Sequence, residues 1–195
     1  MEKLNNVSVK ALPPIHVVCA NDELRPVMNY VFITKEYVVA SDAHIIAIHI
    51  ADELFSEEFI DGFPVDEFLI HFEYWKQMSS NTVDFVCWNK GFIEVHHKKS
   101  NKPSIIIKIT ENSVAKGPGI FPNWQGVMPQ GDEFISISEI GISAIKLNTL
   151  SKALGDPSGL RLSFFGANKG IRVSQLDNCN FLKAYGLIMP MMIEF

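Results

Sequence analysis

From Asn29 onward, apolar residues fall mostly in short β-branched and aromatic runs divided by polar turns, which is the pattern of β-strands. Val31-Phe32-Ile33 and Tyr37-Val38-Val39-Ala40 flank Thr34-Lys35-Glu36, a connection of hairpin length. Ile45-Ile46-Ala47-Ile48-His49-Ile50 follows as an apolar, β-branched run. Thr82 to Trp88, Phe92 to His97 and Ser104 to Thr110 read as three further strands, separated by Asn89-Lys90-Gly91 and by the polar stretch Lys98 to Pro103. In the last of them Ile105, Ile107 and Ile109 share one face. Leu160 to Phe165 and Ile171 to Leu176 carry the pattern toward the C-terminus.

Two segments have a helical period instead. Val65-Asp66-Glu67 opens the first with acidic residues where the helix dipole favours them, and Phe68, Phe72 and Trp75 then recur at helical spacing as far as Met78. Ser143 is the N-cap of the second, Leu147, Leu150 and Leu154 form its apolar stripe, and Gly155-Asp156-Pro157 stops it. Strands follow each helix, so residues 63–110 and 134–193 share a loose repeat of extended segment, helix, turn and hairpin. The pattern predicts an α+β fold of antiparallel sheets, with helices near 65–78 and 143–155 packed on one common side.

The composition is that of an ordinary globular protein: 195 residues, 47% apolar and 20% charged. No apolar run approaches the roughly 18 residues needed to cross a bilayer, and Met1 to Asn6 lacks the layout of a signal peptide. The three cysteines, Cys19, Cys87 and Cys179, are far apart and without metal-ligand spacing. They read as reduced core thiols in a cytoplasmic protein. The net charge of −5 is uneven, because residues 131–195 carry six basic and six acidic side chains and the deficit lies entirely in residues 1–130. An acidic total leaves room for a local basic face.

Candidate chemistry is sparse. Asp42 and His44 stand two apart in a strand-connecting turn, but no serine-centred nucleophile motif accompanies them, and Ser41 and Asp42 are natural turn formers. No catalytic residue is expected. His96 and His97 are neighbours on a strand and point to opposite faces, so they do not chelate one ion, and His16, His49 and His71 have no ligand-spaced partner. No metal or cofactor is expected. The glycine-rich segments 155–159 and 166–170 fit turns better than phosphate-binding loops. Leu187-Ile188-Met189-Pro190-Met191 is an apolar strand with a proline between two methionines, suited either to closing a core or to forming one wall of an apolar groove.

Four segments, in this order, give the chain a family resemblance. Asp22-Glu23-Leu24-Arg25-Pro26-Val27-Met28-Asn29 precedes the first strand hairpin. Then come ASDAHIIA (residues 40–47), FPNWQGVMP (residues 121–129) and LIMPMMI (residues 187–193). They resemble the bacterial DNA polymerase III beta subunit, the sliding clamp, which typically carries an "ATDGHRLA"-like turn, an "FPDYRRVLP"-like connector and a "VMPMRL"-like terminus. The resemblance implies a clamp-like fold in which residues 1–130 match a complete middle domain. Residues 131–195 would match the second half of the last domain, in a family whose subunits have three domains. The family's longer helix falls on Ala11 to Ala20, where Pro13-Pro14 predicts that it is shortened or lost.

By that resemblance the protein is a non-enzymatic replication processivity factor, with a clamp mimic that binds peptides without encircling DNA as the alternative. A groove for apolar peptides of DNA polymerase or other replication proteins would be lined by Ser41, Ala43, His44, Ile45, Ile46, Pro129, Leu187, Met189, Pro190 and Met191. Where the family commonly has Gly-His-Arg, this chain has Ala43-His44-Ile45, so the rim loses a polar contact. Duplex DNA would meet Arg25, Lys76, Lys146 and Lys152 without base reading, in a homo-oligomer.

Overall fold

The computed structural model describes residues 6–7, 12–63, 65–89, 91–98, 102–108, 119–129, 136–137, 139–155, 158–166, 168–176 and 184–191. The end of the strand at Ile109 and Thr110, the Asp156-Pro157 stop and Cys179 lie outside them. Strands β2 (Tyr30–Thr34), β3 (Tyr37–Ser41) and β4 (Ile45–Ile50) form an antiparallel meander. Strand β5 (Glu67–His71) pairs with β2 at one side of it. On the other side β4 pairs with a strand from the far end of the chain, β11 (Ala184–Ile188), which continues into β10 (Ile171–Gln175) and β9 (Leu160–Ser163). The result is one seven-stranded sheet in the order β5-β2-β3-β4-β11-β10-β9. A second sheet has the order β1 (Asn6–Val7), β6 (Val83–Asn89), β7 (Phe92–His97) and β8 (Ile105–Lys108).

The first predicted helix is a correction. Residues 67–71 are strand β5, and helix α2 occupies only Phe72–Met78. Phe68, Leu69 and Ile70 are all buried, Phe68 and Ile70 on one face of the sheet and Leu69 on the other. A strand buried on both faces reads as a continuous apolar run, and such a run mimics a helix segment when only spacing is considered. A short helix α1 (Glu57–Asp61) also precedes it, capped by the Ser56 hydroxyl accepting from the Phe59 amide. Its sequence signal is a serine followed by two acidic residues. Helix α3 (Ala144–Ala153) starts as expected at Ser143, whose hydroxyl accepts from the Lys146 amide. The expected loss of helix around Pro13-Pro14 is borne out: only a 3-10 turn, Ile15–Val18, remains.

Helices α2 and α3 lie on one side of the long sheet. Trp75 and Met78 of α2 and Leu150, Ala153 and Leu154 around the end of α3 share a core with Ile15, Val18, Val31, Val38, Ile45 and Ala47. The Trp75 indole donates to the Pro13 carbonyl (3.0 Å), fixing the proline turn between the helices. Val86, Ile93 and Val95 of the second sheet join the same core. Strand β4 is tied to α3 by buried His49, whose Nε2–H donates to the Ala153 carbonyl (2.8 Å). Burial holds this imidazole below its ordinary pKa, against the opposing pull of the carbonyl, so the ring is neutral near pH 7.

The β4–β11 junction depends on one glycine. Gly186 stands opposite Ala47, and a methyl group there would run into the Ile46 carbonyl oxygen and come within 2.8 Å of Leu150 Cδ1. Gly186→Ala should therefore destabilise the fold by about 1–3 kcal/mol, the cost of overpacking a dense core. A lowered urea midpoint checks this. An unchanged midpoint would mean that β11 is not clamped between β4 and α3.

Candidate functional site

Alternation along the strands gives the long sheet a second apolar face. Val39, Ile46, Ile48, Leu69 and Leu187 point away from the helices and are buried by the connector residues Phe121 and Trp124. Phe121 stacks on Phe32 at a centroid distance of 4.9 Å, and Trp124 meets Tyr37 edge-on at 5.2 Å. The connector then makes a 3-10 turn, Gln125–Val127, braced by the Asn123 side-chain oxygen accepting from the Gly126 amide (3.2 Å). Its ring stacking lays the segment across β2 and β3 and leaves Met128 and Pro129 half-buried beside the sheet.

The β3–β4 turn is held by its own polar residues. The Ser41 hydroxyl donates to the Ile45 carbonyl (3.0 Å) and accepts from the Ala43 amide (3.1 Å). One Asp42 carboxylate oxygen accepts from the amides of His44 (2.8 Å) and Ile45 (2.9 Å). Ala43 sits at φ 73°, a left-handed conformation that costs a residue with a side chain about 1–2 kcal/mol. The tail docks against this turn: the Met189 amide donates to the His44 carbonyl (2.9 Å), and the Met191 amide donates to the Gly141 carbonyl (2.8 Å).

Turn, connector and tail enclose a cavity of about 670 Å³, completed by Met28 and by Asn168, Lys169 and Gly170 of the β9–β10 turn. Its size falls within the ordinary range for small-ligand sites. Of the residues singled out from the sequence, the structure brings Ser41, Ala43, His44, Ile46, Pro129, Leu187 and Met189 to this cavity. Ile45 is a correction. It is 1% exposed and belongs to the helix-side core, because adjacent strand residues face opposite ways and Ile46 takes the cavity side. Pro190 and Met191 do not line the cavity either, since the pairing of Met191 with Gly141 carries the tail past its mouth. Sequence reasoning missed Met28, Phe121, Trp124 and Met128. The aromatic, proline-bounded composition of the connector was the available signal for the last three.

Solved structures show what this architecture resembles. The beta sliding clamp of C. crescentus matches with a TM-score of 0.67 at 14% identity, over 98% of this chain and 66% of that one. The DNA polymerase III beta chain of Streptococcus pneumoniae matches with a TM-score of 0.65 at 14% identity, over 99% and 66%. The DNA polymerase III subunit beta of Borrelia burgdorferi, solved in complex with a natural product, matches with a TM-score of 0.63 at 12% identity, over 100% and 66%. The chain has the sliding-clamp fold. It spans about two thirds of the length of these clamps. No family model and no curated protein matches the sequence. Among the described residues, no helix is long and apolar enough to cross a membrane.

On this clamp fold the four expected DNA-contacting cations divide into two kinds. Lys76 and Lys152 are exposed in the last turns of α2 and α3, where the helix dipole also favours a positive charge. Lys76 lies close enough to His16 that burial, reinforced by its ammonium, pushes the His16 imidazole down to about 4. Arg25 pairs with Asp22 at 2.9 Å on an exposed turn. Lys146 is a correction: its ammonium is bonded to the Asp42 carboxylate, joining α3 to the β3–β4 turn. It acts as a structural counter-ion to Asp42. The same bond disposes of Asp42 and His44 as a catalytic pair, since Asp42 is committed to Lys146 and two backbone amides.

Burial alone would raise the Asp42 pKa, but the Lys146 ammonium and the Ile45 and His44 amides outweigh it and hold the carboxyl below its ordinary value. The folded state thus binds this proton more weakly than the unfolded chain. Its stabilising contribution is fully present above about pH 4, the unfolded value, and is lost as pH falls through the lower folded value. Urea midpoints measured from about pH 5 down to pH 2 should fall more steeply for the wild type than for Asp42→Asn. Parallel slopes would show that the carboxylate is not held ionised by these partners.

Proposed function

We propose that this protein is a sliding-clamp-like, non-enzymatic accessory factor of DNA replication that receives short apolar peptides of its partners in the cavity between turn, connector and tail. The observation that carries the reading is the position of that cavity on a clamp fold. Strands about 140 residues apart in sequence, β4 and β11, meet there, and apolar walls alternate with the polar groups of Ser41, His44, Asn123, Asn168 and Lys169. Aliphatic, aromatic and thioether walls suit leucine and phenylalanine anchors, while the polar groups fix their orientation. Of the wall residues, Met189 is 40% exposed, so its side chain remains available to an incoming peptide.

A peptide carrying leucine and phenylalanine anchors should bind the wild-type protein by burying apolar surface, at about 25 cal/mol per Å² before ordering costs. Met189→Lys should weaken it by about tenfold or more, because it sets a charge where an apolar anchor must sit. Met189→Ala should weaken it less and leave the thermal midpoint nearly unchanged, as expected at a half-exposed position. Isothermal titration and a thermal scan give both readings. A wild type that binds no such peptide, with a large loss of stability in Met189→Ala, would make the tail a core strand and nothing more.

We further propose that the two helices face duplex DNA within a homo-oligomer built through the edge strands β5 and β9 of the long sheet. Residues 1–130 and 131–195 would act as one complete and one partial clamp module. The supporting feature is the pair of exposed lysines, Lys76 and Lys152, on the two helices that share one side of the sheet. Binding to duplex DNA should be independent of sequence, fall steeply with salt, and weaken in Lys76→Glu combined with Lys152→Glu. A monomer without DNA association at low salt, but with intact peptide binding, would favour a clamp mimic that does not encircle DNA.

A further inference from the structure

The second sheet holds a group of side chains that the clamp reading leaves unused. Cys87 on β6 stands directly opposite Glu94 on β7 in the antiparallel register, and His96 lies two residues beyond Glu94 on the same strand. Directly opposed and i,i+2 positions share one face of a sheet, so all three side chains emerge together. That face is the one turned away from the core, because Val86, Ile93 and Val95, which alternate with them, pack inward. His96 and His97 do point to opposite faces, as their adjacency requires. The partners of His96 are instead Glu94, two residues back on its own strand, and Cys87, which the register brings in from across the hairpin.

The geometry is that of a ligand set. The thiol, carboxylate and imidazole donor atoms lie within 4.8 Å of one another. His96 Nε2 is 3.4 Å from a Glu94 carboxylate oxygen, and Cys87 Sγ is 4.0 Å from the same oxygen. Tetrahedral zinc with bonds of about 2.0–2.3 Å has ligand-to-ligand edges of about 3.3–3.5 Å. The nitrogen–oxygen edge already has that length, and the sulfur–oxygen edge needs to close by about half an ångström. The ring of Phe85 stacks on His96 at 4.3 Å and restricts the plane of the imidazole. The site is also shielded from water: Cys87 is fully buried, and the His96 and Glu94 side chains are 12% and 14% exposed.

We propose that Cys87, Glu94 and His96 form a three-ligand site for a divalent transition metal of the zinc class. One thiolate, one imidazole and one carboxylate suit zinc and disfavour magnesium and calcium, which take oxygen ligands. The metal replaces the thiol proton, which passes to solvent, so the sulfur binds as thiolate. Three protein ligands leave a fourth position for water or for another side chain. Because β6 and β7 are the central strands of the four-stranded sheet, the bound ion cross-links the hairpin at its middle and stabilises the sheet.

The test uses the full chain, reduced and freed of metal by chelation, titrated with Zn²⁺ and separately with Co²⁺. The wild type should take up one equivalent of zinc, gain thermal stability with it, and give the near-ultraviolet thiolate-to-metal charge-transfer band with cobalt. Glu94→Gln and His96→Gln should each weaken uptake by at least the roughly 10–100-fold that even an outer-shell partner is worth. Cys87→Ser should abolish the cobalt band, and Cys19→Ser should leave it intact. The proposal is overturned if the wild type takes up no zinc, if the cobalt band survives Cys87→Ser, or if Glu94→Gln and His96→Gln both bind as tightly as the wild type. Should Cys87→Ser fail to fold, the wild-type cobalt spectrum and the other two variants still decide it.

Discussion

The structure depends on one strand pairing. Five residues of β11, from Ala184 to Ile188, pair with His49 to Ile45 of β4, and this turns two strand groups from opposite ends of the chain into a single sheet. Everything near the candidate groove follows from that register. It sets Leu187 beside Ile46 on one face and Ile188 beside Ile45 on the other, so one apolar run serves two different interiors. A slip of one residue would exchange the two faces and send the groove residues into the helix core. Gly186 fixes the register physically, since only a residue without a side chain fits between the Ile46 carbonyl and Leu150.

Polar contacts reinforce the same junction from both sides. On the helix side, His49 donates to the last turn of α3, and Lys146 from the first turn reaches Asp42. On the groove side, the tail amide of Met189 binds the His44 carbonyl. Asp42 is the shared node: it orders the turn through two amides and ties the turn to α3 through Lys146. The strained conformation of Ala43 sits inside this tightly bonded turn, where surrounding hydrogen bonds over-determine the backbone. The mouth of the groove is therefore rigid where it meets the sheet, and its adaptable parts are the methionines.

How much was legible in the sequence varied with the kind of signal. Short apolar, β-branched runs between polar turns located β2, β3, β4, β6 and β7, and a serine cap with a leucine stripe located α3. Strand β5 was read as helix because Phe68-Leu69-Ile70 is buried on both faces, which erases the alternation that marks a strand. The groove turn and tail were visible as motifs, but Ile45 and Ile46 could be told apart only by knowing which face carries the helices. Lys146 was read as a DNA-contacting cation, and its bond to Asp42 went unseen because that partner is 104 residues away. The link from Cys87 to Glu94 and His96 was invisible for a similar reason: register across a hairpin is not written in local spacing.

Amide hydrogen exchange, resolved to the peptides covering residues 45–50 and 184–189, tests the β4–β11 junction most directly. If β11 is an integral strand of the long sheet, both segments exchange slowly and lose protection together as urea is raised, because each supplies the hydrogen-bond partners of the other. Rapid exchange of residues 184–189 in water, while residues 30–50 stay protected, would show that the tail is not part of the sheet. In that case the groove built upon it would not exist.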